Sequence, residues 1–216
     1  MPQPHITLVF TTSLDGRTDA ENPQLLGNRL EENRIMGHRG AVDAIITSAE
    51  RIASEDLGFP LKDSRGPEPA IVVVDKNAEA PPEAAVFKIR SRKVILVTSK
   101  RASQVRIKRL QEARPDLVIM ELGENTVNLE DMVWDLHRAG LRNLLLEADD
   151  SLNMRMLNHG LVDEIYVMVA PMIFGQSHMN LFEEQLEKRI DLRLDGILQY
   201  GDHVVLHYNV VRSFRS

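Results

Sequence analysis

Short apolar runs bounded by breakers, rather than long helical stripes, organise most of this chain. Ile6 to Phe10 is rich in Ile, Val and Phe and reads as a strand, ended by turn chemistry in Thr11-Thr12-Ser13-Leu14-Asp15-Gly16. From Asn28 to Gly40, Leu30, Ile35 and Met36 are spaced for a helix, and Gly40 supplies a stop. Val42 to Ile46 predicts a second buried strand. Glu55 to Pro69 holds Gly58, Pro60, Gly66 and Pro67 among charges and suits a loop or lid, as does Pro81-Pro82.

The alternation then repeats. Strands are expected at Ile71 to Val74, Val94 to Val97 and Leu117 to Met120, with helices near Ser103 to Glu112 and Glu130 to Ala139. Leu144 to Leu146 is the next buried strand, followed by a helix over Leu152 to Asn158 with Gly160 at its C′ position. The tail changes character: Ile165 to Val169, Leu192 to Leu198 and Val204 to Val211 are strand-like, and Tyr200-Gly201-Asp202-His203 reads as a hairpin turn. Strands alternating with helices and closing on a hairpin predict one α/β domain over residues 1–216. Its central sheet is mainly parallel, covered on both faces, with antiparallel C-terminal strands. Ligands of such sheets sit beyond the strand C-termini, so the turns after Phe10, Ile46, Val97 and Leu146 should converge on the site.

Composition narrows the function. With 216 residues, 43% hydrophobic and 27% charged, the chain can bury one sizeable core. A net charge of −6 argues against broad nucleic-acid binding while leaving room for a local phosphate pocket, so small-molecule partners are expected. Cysteine is absent, which removes disulfides, thiolate nucleophiles and Cys-ligated zinc. The N-terminus has no signal-peptide pattern and no apolar stretch is long enough for a membrane helix, so a cytoplasmic protein is expected. His5, His38, His137, His159, His178, His203 and His207 are scattered and assemble no metal motif.

Three segments carry a family resemblance: Thr12-Ser13-Leu14-Asp15-Gly16-Arg17, then Asp43-Ala44-Ile45-Ile46-Thr47-Ser48, and most specifically Leu144 to Gly175. In the last, a strand, Glu-Ala, a small helix, Gly-Leu-Val-Asp-Glu, a strand, Ala-Pro and Gly follow in order. This resembles the C-terminal reductase domain of the riboflavin-pathway deaminase/reductase and its stand-alone relatives, over nearly the whole chain. The resemblance implies a dihydrofolate-reductase-like three-layer fold and a homodimer. It further implies an activity in which NADPH donates a hydride to a ribosylaminopyrimidine 5′-phosphate, converting the opened ribose to a ribityl chain. Such chemistry needs apposition of two carbons more than a catalytic triad. From the residues alone, the Gly-Leu-Val-Asp-Glu run also has a purely structural reading, with Leu161, Val162, Ile165 and Val167 in the core and Asp163 and Glu164 at the start of a strand.

Carried over position by position, the resemblance makes Glu147 a substrate contact and Arg39 a holder of the substrate phosphate. Arginine suits a phosphate through paired N–H donors, and a surface arginine at a helix end is an equal alternative. Thr47, Ser48, Arg51 and Glu55 follow the second strand, where the family lines its cofactor. Ser99, Lys100 and Arg101, beside Thr98, stand where this fold holds the adenosine phosphate of NADPH.

At Asp149-Asp150 the chain departs from the Gly-Gly or Gly-Pro that lets relatives bring the cofactor pyrophosphate to a helix N-terminus, next to Ser151. A carboxylate about 4 Å from a phosphate charge costs roughly 4 kcal/mol at an effective dielectric near 20, close to a thousandfold in affinity. The same residues are also good N-caps, and capping competes for those N–H groups. Three functional readings stay open: the NADPH-dependent reductase, on this or a related pterin-like substrate; a divergent non-catalytic paralogue keeping the fold and a nucleotide or phosphate ligand; and a dimeric structural or regulatory protein.

Overall fold

The computed structural model describes residues 3–18, 37–56, 58–61, 67–175, 179–180 and 186–211. Its strands are β1 (His5–Ser13), β2 (Arg17–Thr18), β3 (Ala44–Ser48), β4 (Ala70–Val74), β5 (Val94–Thr98), β6 (Val118–Glu121), β7 (Asn143–Leu146), β8 (Glu164–Ala170), β9 (Met179–Asn180), β10 (Asp191–Tyr200) and β11 (His203–Val211). The helices are α1 (Ala49–Glu55), α2 (Ala85–Lys88), α3 (Gln104–Ala113), α4 (Leu129–Arg138) and α5 (Asp150–Asn158). Nine strands form one sheet in the order β10-β11-β8-β1-β7-β3-β4-β5-β6, and β2 pairs with β9. From β8 to β6 every neighbouring pair is parallel; β11 joins β8, and β10 joins β11, antiparallel.

The inner strands read Ala-Ile-Val-Val-Val and Val-Ile-Leu-Val-Thr, with every residue of β3, β4 and β5 buried, as a sheet covered on both faces demands. One face packs on α4 and α5 through Met132, Leu136, Met154 and Leu157. The other packs on α1, α2 and α3 through Ile52, Phe87, Ile107 and Leu110. The result is three layers. α4 starts where Asn128 accepts hydrogen bonds from the Glu130 and Asp131 amides, with acids in its first turn and His137 and Arg138 in its last. Gly160 follows the last residues of α5 at φ +64°, as its place in the sequence predicts. Gly123, in the turn after β6, is required by close approach: a Cβ there would collide with the Thr126 carbonyl oxygen.

The structure departs from the sequence reading at several points. β1 runs on to Ser13 instead of ending at Phe10, because Thr11, Thr12 and Ser13 pair with Met168, Val169 and Ala170 of β8. α1 was not expected: Ser48 ends β3 and also caps the helix, accepting the Arg51 amide at 3.3 Å. α5 begins at Asp150 rather than Leu152 because Asp149 is its N-cap. The short α2 and the β2–β9 pair carry no periodic signal in the sequence. Of the helix expected over residues 28–40, only residues 37–40 lie within the described segments; residues 37–39 are helical and Gly40 is in a turn.

Two aspartates of the resemblance motifs align the central strands. Asp43 Oδ2 accepts the Arg142 and Asn143 amides, each at 2.8 Å, at the start of β7. Asp163 Oδ2 accepts the Ile6 amide at 2.9 Å while its own amide donates to the Ile6 carbonyl. The structural reading of the Gly-Leu-Val-Asp-Glu run therefore fits Asp163. Asp43→Ala leaves two amides at the start of a central strand without their acceptor. A loss of about 1–3 kcal/mol is expected in urea unfolding, with an unchanged slope and partial recovery in Asp43→Asn.

Candidate functional site

The parallel strands β1, β3, β5 and β7 end on the same edge of the sheet, so the turns named from the sequence lie along one rim. At its centre is Glu147, directly after β7, whose amide continues the ladder by donating to the Ile46 carbonyl. Glu147 is 2% exposed and Arg39 is 6% exposed. Arg39 donates through Nε to Glu147 Oε2 at 2.8 Å, and its Nη2 makes a second, short contact to Oε1. Arg39 Nη1 reaches the Pro60 carbonyl at 3.3 Å, and the guanidinium lies 5.3 Å from the centre of the Phe59 ring. Arg51 Nη2 stands 3.3 Å from the same Glu147 Oε1, while its Nε is 3.2 Å from Glu55 Oε1 one turn along α1.

Four residues the sequence divided between substrate and cofactor thus form one network: Arg39, Arg51, Glu55 and Glu147. Two guanidiniums face two carboxylates, and this close opposite charge offsets the cost of burying Glu147. Arg39 spends its fork on Glu147 instead of facing outward, whereas the Arg51 side chain is 20% exposed.

Beside this network the remaining β3 and α5 positions meet. The Ser48 hydroxyl accepts the Asp149 amide at 3.4 Å as well as capping α1. Asp149 Oδ2 accepts the Ser151 amide at 3.1 Å, so the carboxylate occupies one of the free N–H groups of α5. Asp150 opens the helix, half-buried, and Ser151 is exposed. The Thr47 hydroxyl, Asp149 Oδ1 and Asn153 Oδ1 are buried without a hydrogen-bond partner. The sequence reading passed over Asn153, although an asparagine between Leu152 and Met154 on a buried face is a visible anomaly. It also passed over Glu50 and Asp75. Partial burial pushes the Glu50 carboxyl up, and the charges of Asp149, Asp75 and Glu79 add to the shift. This part of the rim is acidic.

Ser99, Lys100 and Arg101 follow β5, two strands from β3 and roughly 10 Å from it at ordinary strand spacing. The Ser99 hydroxyl is buried and donates to the Lys76 carbonyl at 2.9 Å, which Thr98 also reaches at 3.2 Å. Lys100 pairs with Glu124 at 2.5 Å, and that hydrogen bond raises its pKa. Arg101 is exposed. The two cations are thus not equivalent: one is already answered by a carboxylate.

The family model of the RibD C-terminal domain matches residues 4–206. This chain belongs to the RibD C-terminal domain family. A 2,5-diamino-6-ribosylamino-4(3H)-pyrimidinone 5′-phosphate reductase from Aquifex aeolicus is 23% identical over 226 residues, covering all of both chains. One of the same name from Methanothermobacter thermautotrophicus is 27% identical over 217 residues, covering 96% of this chain and 99% of its own. Among solved structures, Acinetobacter baumannii RibD (form 1) superposes with a TM-score of 0.82 at 20% identity over 98% of this chain; the chain spans 59% of that protein. Enterococcus faecalis dihydrofolate reductase, solved with NADP(H), gives a TM-score of 0.52 at 9% identity, covering 96% of this chain and 97% of its own. The dihydrofolate-reductase-like, mainly parallel sheet with antiparallel C-terminal strands is the fold observed.

In this RibD-family chain the Ser-Leu-Asp-Gly segment closes the β1 side of the rim. Asp15 Oδ1 accepts the Ser13 hydroxyl at 2.6 Å and the Phe174 amide at 3.2 Å, and Oδ2 accepts the Gly175 amide at 2.8 Å. The Ser13 hydroxyl, then these amides, hold the Asp15 carboxyl down to about 2 from an ordinary 3.8. A carboxyl depressed in the folded state contributes stability above the unfolded value and loses it as pH falls through the folded one. Protection of the Phe174 and Gly175 amides against hydrogen exchange should therefore be full above about pH 4 and fade toward pH 2, while Asp15→Asn should flatten that dependence.

The Glu147 network makes a second prediction. Arg39→Met leaves a buried carboxylate with only Arg51 and is expected to cost about 3 kcal/mol in urea unfolding. Adding Glu147→Leu in that background should restore most of the loss. If the double variant is as unstable as the single one, apolar packing of Arg39 rather than the ion pair is what matters.

Proposed function

We propose that this chain is a nicotinamide-dependent reductase of a ribosylaminopyrimidine 5′-phosphate in riboflavin biosynthesis, the substrate class for which its full-length relatives are named. The observation that carries this reading is the buried Glu147 side chain at the carboxyl end of a central strand, fixed by Arg39 and Arg51 at the crevice where open α/β sheets bind ligands. A fixed carboxylate accepts the N–H groups of a diaminopyrimidine and holds the ring while the opened ribose chain is reduced. Arg51, the more open of the two arginines, takes the substrate phosphate in this reading, and Arg39 positions Glu147.

A nicotinamide cofactor, taken as NADPH, would supply the hydride. Some of the residues present suit it: the Thr47 hydroxyl is buried without a partner, and Arg101 is an exposed cation beyond β5, next to Lys100, which is paired with Glu124. The N-terminus of α5 does not suit a pyrophosphate, since Asp149 occupies the Ser151 amide and Glu50, Asp75 and Glu79 add negative charge nearby. That mismatch favours a second reading, in which the fold and a small ligand are kept and hydride transfer is lost.

Titration of NADPH by fluorescence, with loss of NADPH absorbance in the presence of the pyrimidine substrate, separates the two. The reductase reading expects turnover, and a fall of about a hundredfold or more in kcat/KM for Glu147→Gln. Asp149→Gly with Asp150→Gly should tighten NADPH by roughly ten- to a thousandfold. Unchanged affinity in the double variant refutes the repulsion. No binding at millimolar NADPH in either protein refutes the reductase.

A further inference from the structure

The row of side chains that contains Glu147 continues across the sheet into the terminal strands. The β1–β7 register pairs Leu8 with Leu146, and one further step along both strands sets Val9 beside Glu147. Val9 then pairs with Tyr166 on β8, and Tyr166 with His207 on β11. Laterally paired residues point to the same side of a sheet, so Glu147, Val9, Tyr166 and His207 form one line on the α1–α3 side, where Val9 packs. The order β7-β1-β8-β11 puts Tyr166 two strands from Glu147, about 10 Å at ordinary strand spacing.

The helical turn at residues 37–39 straddles this line and grips it at two points. Arg39 reaches Glu147 through Nε at 2.8 Å, and the adjacent His38 sets its ring 4.6 Å from that of Tyr166, tilted by 55°. Tyr166 is held from a second direction as well: its ring stacks on His207 with centres 4.1 Å apart and planes 6° from parallel. His207 is in turn flanked by carboxylates, with Asp195 Oδ2 3.2 Å from Nδ1 and Glu164 Oε2 3.4 Å from Nε2. Whichever ring nitrogen carries the proton, a carboxylate oxygen faces it. The phenol ring is therefore wedged between the turn that carries Arg39 and the terminal hairpin.

We propose that Tyr166 is a positioning residue for the Glu147 site: its ring seats the 37–39 turn so that the Arg39 fork meets Glu147 at the observed angle. An arginine side chain has many rotamers, so its bond to Glu147 does not by itself fix the backbone it springs from; a ring contact one residue away does. The ring carries this role and the hydroxyl does not, since the contacts to His38 and His207 are both ring to ring. The assignment rests on the reading of Glu147 as the acceptor of the substrate's ring N–H groups. To that reading it adds that β8 and the terminal hairpin, two and three strands away, set how Glu147 is presented. A displacement of about 1 Å in a group that orients substrate is enough to weaken its action strongly.

In the full chain, Tyr166→Leu should lower kcat/KM for the pyrimidine substrate by roughly tenfold through KM, with kcat close to that of the wild type, and Tyr166→Phe should recover the loss. A readout without substrate keeps the two readings apart. Glu147 Oε2 shields the Arg39 Nε–H proton, whose exchange with solvent is followed by nitrogen-15 NMR. That exchange should quicken about tenfold in Tyr166→Leu and return to the wild-type rate in Tyr166→Phe. His38→Ala removes the same ring contact without altering the sheet and should quicken the exchange too, so the test does not require the leucine variant to fold. Absence of turnover in the wild type, with this exchange pattern intact, refutes the reductase reading and leaves the seating of Arg39 by Tyr166 standing. Unchanged Arg39 exchange in His38→Ala, a phenylalanine variant as fast as the leucine one, or an unmoved KM in an active Tyr166→Leu overturns the positioning role.

Discussion

A carboxylate at 2% exposure is the constraint around which the rim of this molecule is arranged. Removing Glu147 from water costs several kcal/mol, and only close, hydrogen-bonded opposite charge offsets it. Arg39 and Arg51 supply that charge from two places, the helical turn at residues 37–39 and the start of α1, and so both are held to the end of β7. A buried ion pair of this kind is a poor source of net stability compared with apolar packing. What it fixes is position: the angle of the Arg39 fork, the seat of α1 and the site of one negative charge in the crevice.

The sheet makes that position possible. β7 lies between β1 and β3 although it comes much later in the chain than either, so its end is flanked on both sides by earlier strands. Its alignment is set at the opposite end by Asp43, which receives two β7 amides, while Asp163 does the same for the β1–β8 pair. Residues that made the family recognisable are therefore partly devices for aligning strands. Recognition through them says more about architecture than about chemistry, in keeping with the way one fold serves many sites.

The same distinction explains what was legible in the sequence. β4, β5 and the terminal hairpin are written in local apolar patterns, and α4 announces itself through Asn128 and its end charges. α1 is hidden because its only buried members are Ala49 and Ile52, too few for a stripe, and because its cap is the last residue of a strand. The pairing of Arg39 with Glu147 spans 108 positions and that of Asp15 with Gly175 spans 160. Each residue could be named as a candidate from its motif, but no local pattern states that Arg39 pairs with Glu147, or that Ser99 spends its proton on Lys76.

The N-terminus of α5 shows how such competition settles a site. A helix start offers free N–H groups that an anion or a capping side chain satisfies, but not both at once. Glycine at these positions leaves the groups to a ligand; aspartate at 149 takes one of them and brings its own charge. With Ser48 also bound to the Asp149 amide, the end of β3 and the start of α5 hold each other. In the structure Asp149 caps the helix, and the oxygen that satisfies the Ser151 amide places a carboxylate at the helix start.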